Sequence, residues 1–158
     1  MNVSYKFTLK PPAAPPQPEG GWIRSFEEDD GDMSFAIEQA QRTLAHFFEV
    51  FANPKPSQDY FLVKALFHST DGAEHIWLAE LNASVFPLTG TIANQPGVVD
   101  LKFMQKVSFH PSQITDWMYV EDGYAVGAFT TQVIRRKLSS AERLAHDAAF
   151  PYKYGDEP

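Results

Sequence analysis

Apolar residues at Met33, Ile37, Ala40, Leu44, Phe47 and Phe51 recur at spacings of four and three, and Phe48 widens the stripe. That period predicts a long amphipathic helix. Asp32 suits its N-cap, and Asn53-Pro54 ends it, because the residue before a proline is pushed out of the α region. The pattern then changes. Tyr60 to Phe67 is rich in strand formers, Thr70-Asp71-Gly72 supplies a turn, and Glu74 to Leu81 forms a second run, so the two predict a hairpin. Short strands are expected at Val85 to Ile92 and Lys102 to Phe109, separated by Asn94-Gln95-Pro96-Gly97. In Ile114 to Thr130, Asp122-Gly123 has the chemistry of a type I′ turn, which needs positive φ at both central positions. The turn pairs Glu121 with Tyr124. Trp117, Tyr119 and Glu121 then share one face with Tyr124, Val126 and Ala128, and Met118 and Val120 share the other with Ala125 and Gly127.

After Phe129 the apolar spacing lengthens. Thr130, Val133, Ile134 and Leu138 fit one side of a helix, which turns Arg135 and Arg136 toward solvent. The same threonine and β-branched residues also suit a strand, so the second strand of the hairpin has a competing claim on them. Ser139 and Glu142 form a capping-box signal for a last short helix through about Ala149. At the other end of the chain Val3, Tyr5, Phe7 and Leu9 alternate with polar residues as a strand does, and Lys10 to Gly21 is too rich in proline and glycine for anything but an extended linker. The predicted fold is α+β, an antiparallel sheet with scope for strong curvature, packed against one long N-terminal amphipathic helix and followed by a helical C-terminus. Residues 1–32 read as an N-terminal extension with a proline-rich linker and an acidic lead-in, 33–150 as one domain, and 151–158 as a C-terminal tail.

A chain of 158 residues, 44% hydrophobic and 14% aromatic, is near the usual size of one domain. It has no apolar run of about 18 residues and no signal-like h-region at its start, so the expected setting is the cytoplasm, with no membrane partner. A formal net charge of −7 argues against nucleic acid, whose phosphates call for a clustered basic footprint. The one basic cluster, Arg135-Arg136-Lys137, points in several directions on a helix. With Cys 0, disulfides, thiolate metal sites and cysteine nucleophiles are excluded. The acidic run Glu27, Glu28, Asp29 and Asp30 fits a solvated approach to a helix N-terminus, or a docking surface for a basic partner.

Several ordered pieces carry a family likeness. They are Phe51-Ala52-Asn53-Pro54, Glu74-His75-Ile76-Trp77-Leu78, Gly90-Thr91-Ile92-Ala93-Asn94-Gln95-Pro96, Ile114-Thr115-Asp116-Trp117-Met118-Tyr119, Asp122-Gly123, Gly127-Ala128-Phe129-Thr130 and Leu138-Ser139-Ser140-Ala141-Glu142-Arg143. Together they resemble the YegJ-like bacterial family, a domain of unknown function, over roughly Met33 to Phe150. Two departures stand out: Ala128 occupies the place of an expected second glycine, and Met104-Gln105-Lys106 replaces a glycine-containing turn. The resemblance implies no assigned reaction and no cofactor.

Candidate chemistry is sparse. His75 and Trp77 share one face of their strand and Glu74 takes the other, so Glu74 is badly placed to orient His75 as a base. A histidine hydrogen-bonded within the sheet fits better. Asp116 falls on the Met118 face near Phe129, where burial demands a partner such as a backbone amide or the Thr130 hydroxyl. Trp117, Tyr119 and Tyr124 form either a core face or an exposed binding patch. No metal-ligand spacing, nucleophile elbow, P-loop or dinucleotide fingerprint is present. The function expected from these features is a non-enzymatic cytoplasmic protein-interaction domain that binds, and neutralises or regulates, a basic protein such as a toxin. Glu27, Glu28, Asp29, Asp30, Trp117, Tyr119 and Tyr124 would form its contact surface. The alternative is a small enzyme or ligand binder with a cleft near His75, Trp77, Asp116, Tyr119 and Thr130.

Overall fold

A computed structural model describes residues 31–155. The expected strand Val3 to Leu9, the proline-rich linker and the acidic run Glu27 to Asp30 lie outside the described residues. Two compact units divide the described chain: Tyr60–Thr115, and residues 31–59 together with residues 116–155. The fold is α+β and, among the described residues, has a long helix, then six strands, then two helices.

In the first unit, β1 (Gln58–Ser69, in this unit from Tyr60 on), β2 (Gly72–Asn82), β3 (Leu88–Ile92) and β4 (Lys106–Phe109) are neighbours in that order, and each pairs antiparallel with the next. The predicted turn joins β1 to β2, with Ser69 opposite Gly72 and Val63 opposite Leu78. Strand alternation sends Val63, Ala65, Ile76 and Leu78 into the core, all fully buried. The last two strands are shorter than their apolar patterns predict. Residues 83–87 bend away before Leu88, with a cis Phe86-Pro87 peptide, and the segment before Lys106 turns through Met104 at φ 70. β2 carries an irregularity between Ala79 and Asn82, where Glu80 takes φ 48 and its carboxylate accepts from the Thr91 hydroxyl at 2.9 Å.

In the second unit α1 (Gly31–Ala52) buries Ala36, Ala40 and Phe47 fully, while Met33, Ile37, Leu44, Phe48 and Phe51 are half-buried. The helix begins at Gly31, so Asp32 sits in its first turn, where a carboxylate still favours the helix N-terminus. β5 (Ile114–Glu121, in this unit from Asp116 on) and β6 (Tyr124–Gly127) form the predicted hairpin in the predicted register, Glu121 opposite Tyr124 and Met118 opposite Gly127. Asp122 and Gly123 take φ 51 and 84, as a type I′ turn requires. Helix wins the contested segment: α2 (Phe129–Lys137) starts two residues after β6, and α3 (Ser140–Ala148) opens with both bonds of the Ser139/Glu142 capping box.

Two details of this unit differ from the sequence pattern. Arg135 is not turned to solvent but is 7% exposed. Its guanidinium donates to both oxygens of Asp147 at 2.9 and 2.7 Å and to Gln132, and it lies 4.3 Å from the Tyr154 ring centroid. A buried cation requires such pairing, and a partner twelve residues ahead on the next helix is invisible to a periodicity argument. The segment after α3 is also packed rather than trailing. Tyr152 is 7% exposed and its hydroxyl reaches the Met118 sulfur at 3.6 Å, and Lys153 bonds to the backbone on either side of Tyr124, donating to Gly123 O and accepting from Ala125 N.

Candidate functional site

The aromatic face of the hairpin is core. Trp117 and Tyr119 are each 3% exposed, and the Trp117 indole N–H donates at 3.1 Å both to the Ala40 carbonyl and to the Thr43 hydroxyl. Phe47 and Phe129 pack on the indole at ring distances of 5.6 and 5.4 Å, and Tyr119 stacks on it at 5.9 Å. With α1 over the Trp117 side and Tyr152 on the Met118 side, β5 is buried on both faces, which strand alternation alone does not reveal. The reading of Trp117 and Tyr119 as an exposed contact patch is therefore corrected. Tyr124, 47% exposed, is the member of that set on the surface.

Asp116 is fully buried, and its carboxylate is consumed by backbone. Oδ1 accepts from the amides of Trp117 and Phe129 at 2.8 and 3.1 Å, and Oδ2 accepts from the amide and the hydroxyl of Thr130. Phe129 and Thr130 are the first residues of α2, whose own N-cap, Ala128, offers no side-chain acceptor. Asp116 thus caps that helix from a neighbouring strand, satisfying orphan donors and complementing the positive end of the helix dipole. In the other unit Glu74 plays a similar part. Its carboxylate accepts from the amides of Gly97, Val98 and Val99, which pins the long connection between β3 and β4. His75 and Trp77, on the opposite face of β2, are half-buried; the His75 Nδ1 lies 2.9 Å from the Thr115 hydroxyl, and Lys64 Nζ lies 4.8 Å from the Trp77 ring centroid. His75 and Trp77 belong to one unit, and Asp116, Tyr119 and Thr130 to the other.

The second unit also holds an open concavity of about 380 Å³, lined by His46, Glu49, Val50, Asn53, Lys55, Gln58, Tyr119 and Glu121. Of the residues singled out in the sequence it includes Tyr119, but not Asp116 or Thr130. The α1 helix supplies His46, Glu49 and Val50 at helical spacing, the end of β5 supplies Tyr119 and Glu121 two residues apart on one face, the connection after α1 supplies Lys55, and the first residue of β1 is Gln58. Gln58 holds the floor: its amide accepts from the Lys55 backbone N–H and donates to Glu121, both at 2.8 Å. His46 Nε2 stands 3.1 Å from the Tyr119 hydroxyl. Burial, and then the charge of Glu121, push the Tyr119 phenol above its ordinary range, so it stays protonated as a hydrogen-bonding group. The concavity presents two carboxylates, one ammonium and an imidazole beside the Tyr119 phenol. Among the described residues no cluster of three or more His, Asp or Glu side chains is arranged to hold a metal ion. Sequence reasoning missed His46, Glu49, Lys55 and Gln58 because they come from segments that share no motif. The shared face of Tyr119 and Glu121 was the one legible signal.

Over 143 residues, 85% of this chain and 56% of the relative, the sequence is 30% identical to a putative ankyrin repeat protein of Neisseria meningitidis serogroup B (strain ATCC BAA-335 / MC58). Over 103 residues, 65% of this chain and 66% of the relative, it is 33% identical to the uncharacterized protein YegJ of Escherichia coli (strain K12). The match thus spans between about half and two thirds of the length of these curated relatives. No solved structure matches the chain. A family model described as an uncharacterized protein conserved in bacteria matches residues 30–154, the segment that holds both units' described strands and helices, and the chain belongs to that family, DUF2314.

Proposed function

We propose that this chain is a non-enzymatic, cytoplasmic protein-interaction domain that binds a basic protein and neutralises or regulates it, as an immunity protein acts on a toxin. The observation that carries this reading is the fate of the buried carboxylates. Asp116 and Glu74 spend their hydrogen-bonding capacity on backbone amides, which leaves them holding elements in place and not poised for acid–base work. Glu49 and Glu121 line the concavity, and the sequence carries the run Glu27, Glu28, Asp29 and Asp30 ahead of α1. Acidic charge around an open concavity favours a cationic side chain from a partner and speeds its encounter. The relative named as a putative ankyrin repeat protein adds support, since repeats of that kind build extended binding surfaces. No helix among the described residues is long and apolar enough to cross a membrane.

The test begins with a partner isolated by affinity capture and titrated as a pure protein. Neutralising Glu27, Glu28, Asp29 and Asp30, or separately Glu49 and Glu121, should slow association and flatten its salt dependence. Binding indifferent to salt and to both sets of substitutions would reject a charge-steered surface. Turnover of any substrate that disappears in His75→Ala or Asp116→Asn while the fold persists would replace this reading with an enzymatic one.

A further inference from the structure

Within the unit Tyr60–Thr115, β4 is the outermost strand, and among the described residues it pairs with β3 alone. The Ile92 amide donates to the Gln105 carbonyl at 2.9 Å, so residue 105 has its backbone turned toward β3. Strand alternation then assigns 107 and 109 to the β3 ladder and turns the amide and carbonyl of Lys106 and Ser108 outward. Lys106 and Ser108 are exposed, and Val107, on the same face as the buried Phe109, is half-buried. At the end of this edge Phe86 is 76% exposed and meets the His110 ring edge-on at 5.3 Å. An edge with two backbone positions unpaired among the described residues, and apolar side chains beside it, is a template for another strand. The chain covers the hairpin edge β6 with its own C-terminal residues, through the Ala125 N to Lys153 O and Lys153 N to Gly123 O bonds.

We propose that the outer edge of β4 is covered in the same manner from the other end of the chain, by residues 2–10 acting as an added edge strand. Val3, Tyr5, Phe7 and Leu9 supply an apolar face that extends the face of Val107 and Phe109, and Ser4, Lys6 and Thr8 fall on the side of Lys106 and Ser108. The segment needs no special turn to arrive. Residues 11–30 extend to about 70 Å at most, which is the reach the tether allows. Tethering keeps the strand at an effective concentration on the order of millimolar, which favours it over a second copy at ordinary protein concentrations. The role is distinct from binding a basic partner and stands or falls apart from it.

Residue-resolved hydrogen exchange on the full chain tests this directly. The outward amides of Lys106 and Ser108 should be protected in the natural sequence. In a full-length Tyr5→Pro/Lys6→Pro variant they should exchange at least tenfold faster, because adjacent prolines remove a donor from whichever side of the strand faces β4. The amides of Val107 and Phe109, bonded to β3, should keep their protection and so report that the domain is still folded. Full-length Ser108→Pro should in turn increase tryptic cleavage after Lys6. Random-coil exchange at Lys106 and Ser108 in the natural chain would overturn the proposal. So would protection that survives the double proline; if it also rises with protein concentration, a second copy holds the edge.

Discussion

Gly127 lies against Trp117 with no room for a side chain. A Cβ at Gly127 would stand 2.5 Å from the Trp117 carbonyl oxygen and 2.6 Å from the indole Cε3 and Cζ3. Although Gly127 is paired with Met118 across the hairpin, the crowding comes from Trp117, which α1 fixes in place through Ala40 and Thr43. Gly127 also takes φ 82, which an L side chain resists. Gly127→Val combines overpacking against a rigid ring with backbone strain and should destabilise by roughly 3 kcal/mol or more. A denaturation midpoint within error of the natural chain would show that the close approach is absent.

Asp116 and Thr130 should behave as one unit. Asp116→Asn keeps the shape but replaces an acceptor with a donor facing backbone amides, and should cost about 2–4 kcal/mol. Thr130→Val removes the hydroxyl alone and should cost about 1–2 kcal/mol. In a double-mutant cycle from denaturant unfolding the two costs should fall short of additive, because each substitution breaks the same bond.

Stability should fall at high pH through the C-terminal packing. Burial pushes the Tyr154 phenol from its ordinary 10.0 up to about 12, with the Asp147 charge adding to the rise and Tyr152 and Arg135 opposing it. The unfolded chain therefore ionises first. Stability from the neutral phenol is intact below pH 10 and is lost as pH climbs toward 12, by roughly 3 kcal/mol across the window. Tyr154→Phe should flatten much of that alkaline limb in a series of urea titrations; Tyr60 and Tyr119, both also raised by burial, would supply the remainder.

Asp147 gives the opposite limb. Burial alone would raise its carboxyl, but hydrogen bonds from Arg135 and His146, with their charges, outweigh it and hold the group below its ordinary 3.8. Its contribution is complete above that value and fades as pH falls through the lowered one. Asp147→Asn should lower stability at neutral pH while making it less sensitive to acid. An acid limb unchanged in slope would place the controlling carboxylates elsewhere.

Met104 has a left-handed backbone at φ 70 and a side chain that is 45% exposed, so its methionine contributes little packing while bearing the strain. Met104→Gly should be neutral or stabilising by up to about 1 kcal/mol, where glycine in an ordinary strand or helix position destabilises. Met104→Ala should show no gain. Thermal melts of the two variants separate the outcomes.

Both departures from the expected glycine pattern fall on positive φ: Met104, and Ala128 at φ 52. The family resemblance marked these two positions; turn chemistry, being local, is why Asp122-Gly123 set the hairpin register and Ser139 with Glu142 the start of α3. The long helix followed from its apolar period for the same reason, since neighbours along the chain share one helix face. Even the partnership of Asp116 with Thr130 was legible, because a carboxylate on an apolar strand face must find donors and the next element begins close by. Burial was decided in three dimensions. Trp117 became core because α1, some seventy residues earlier, covers it; Arg135 turned inward because Asp147 meets it from the next helix; and His46, Gln58 and Tyr119 gather around one concavity from three separate elements. Periodicity assigns a side chain to a face, and only the packing of that face against another element determines whether it meets water, a charge or a ring.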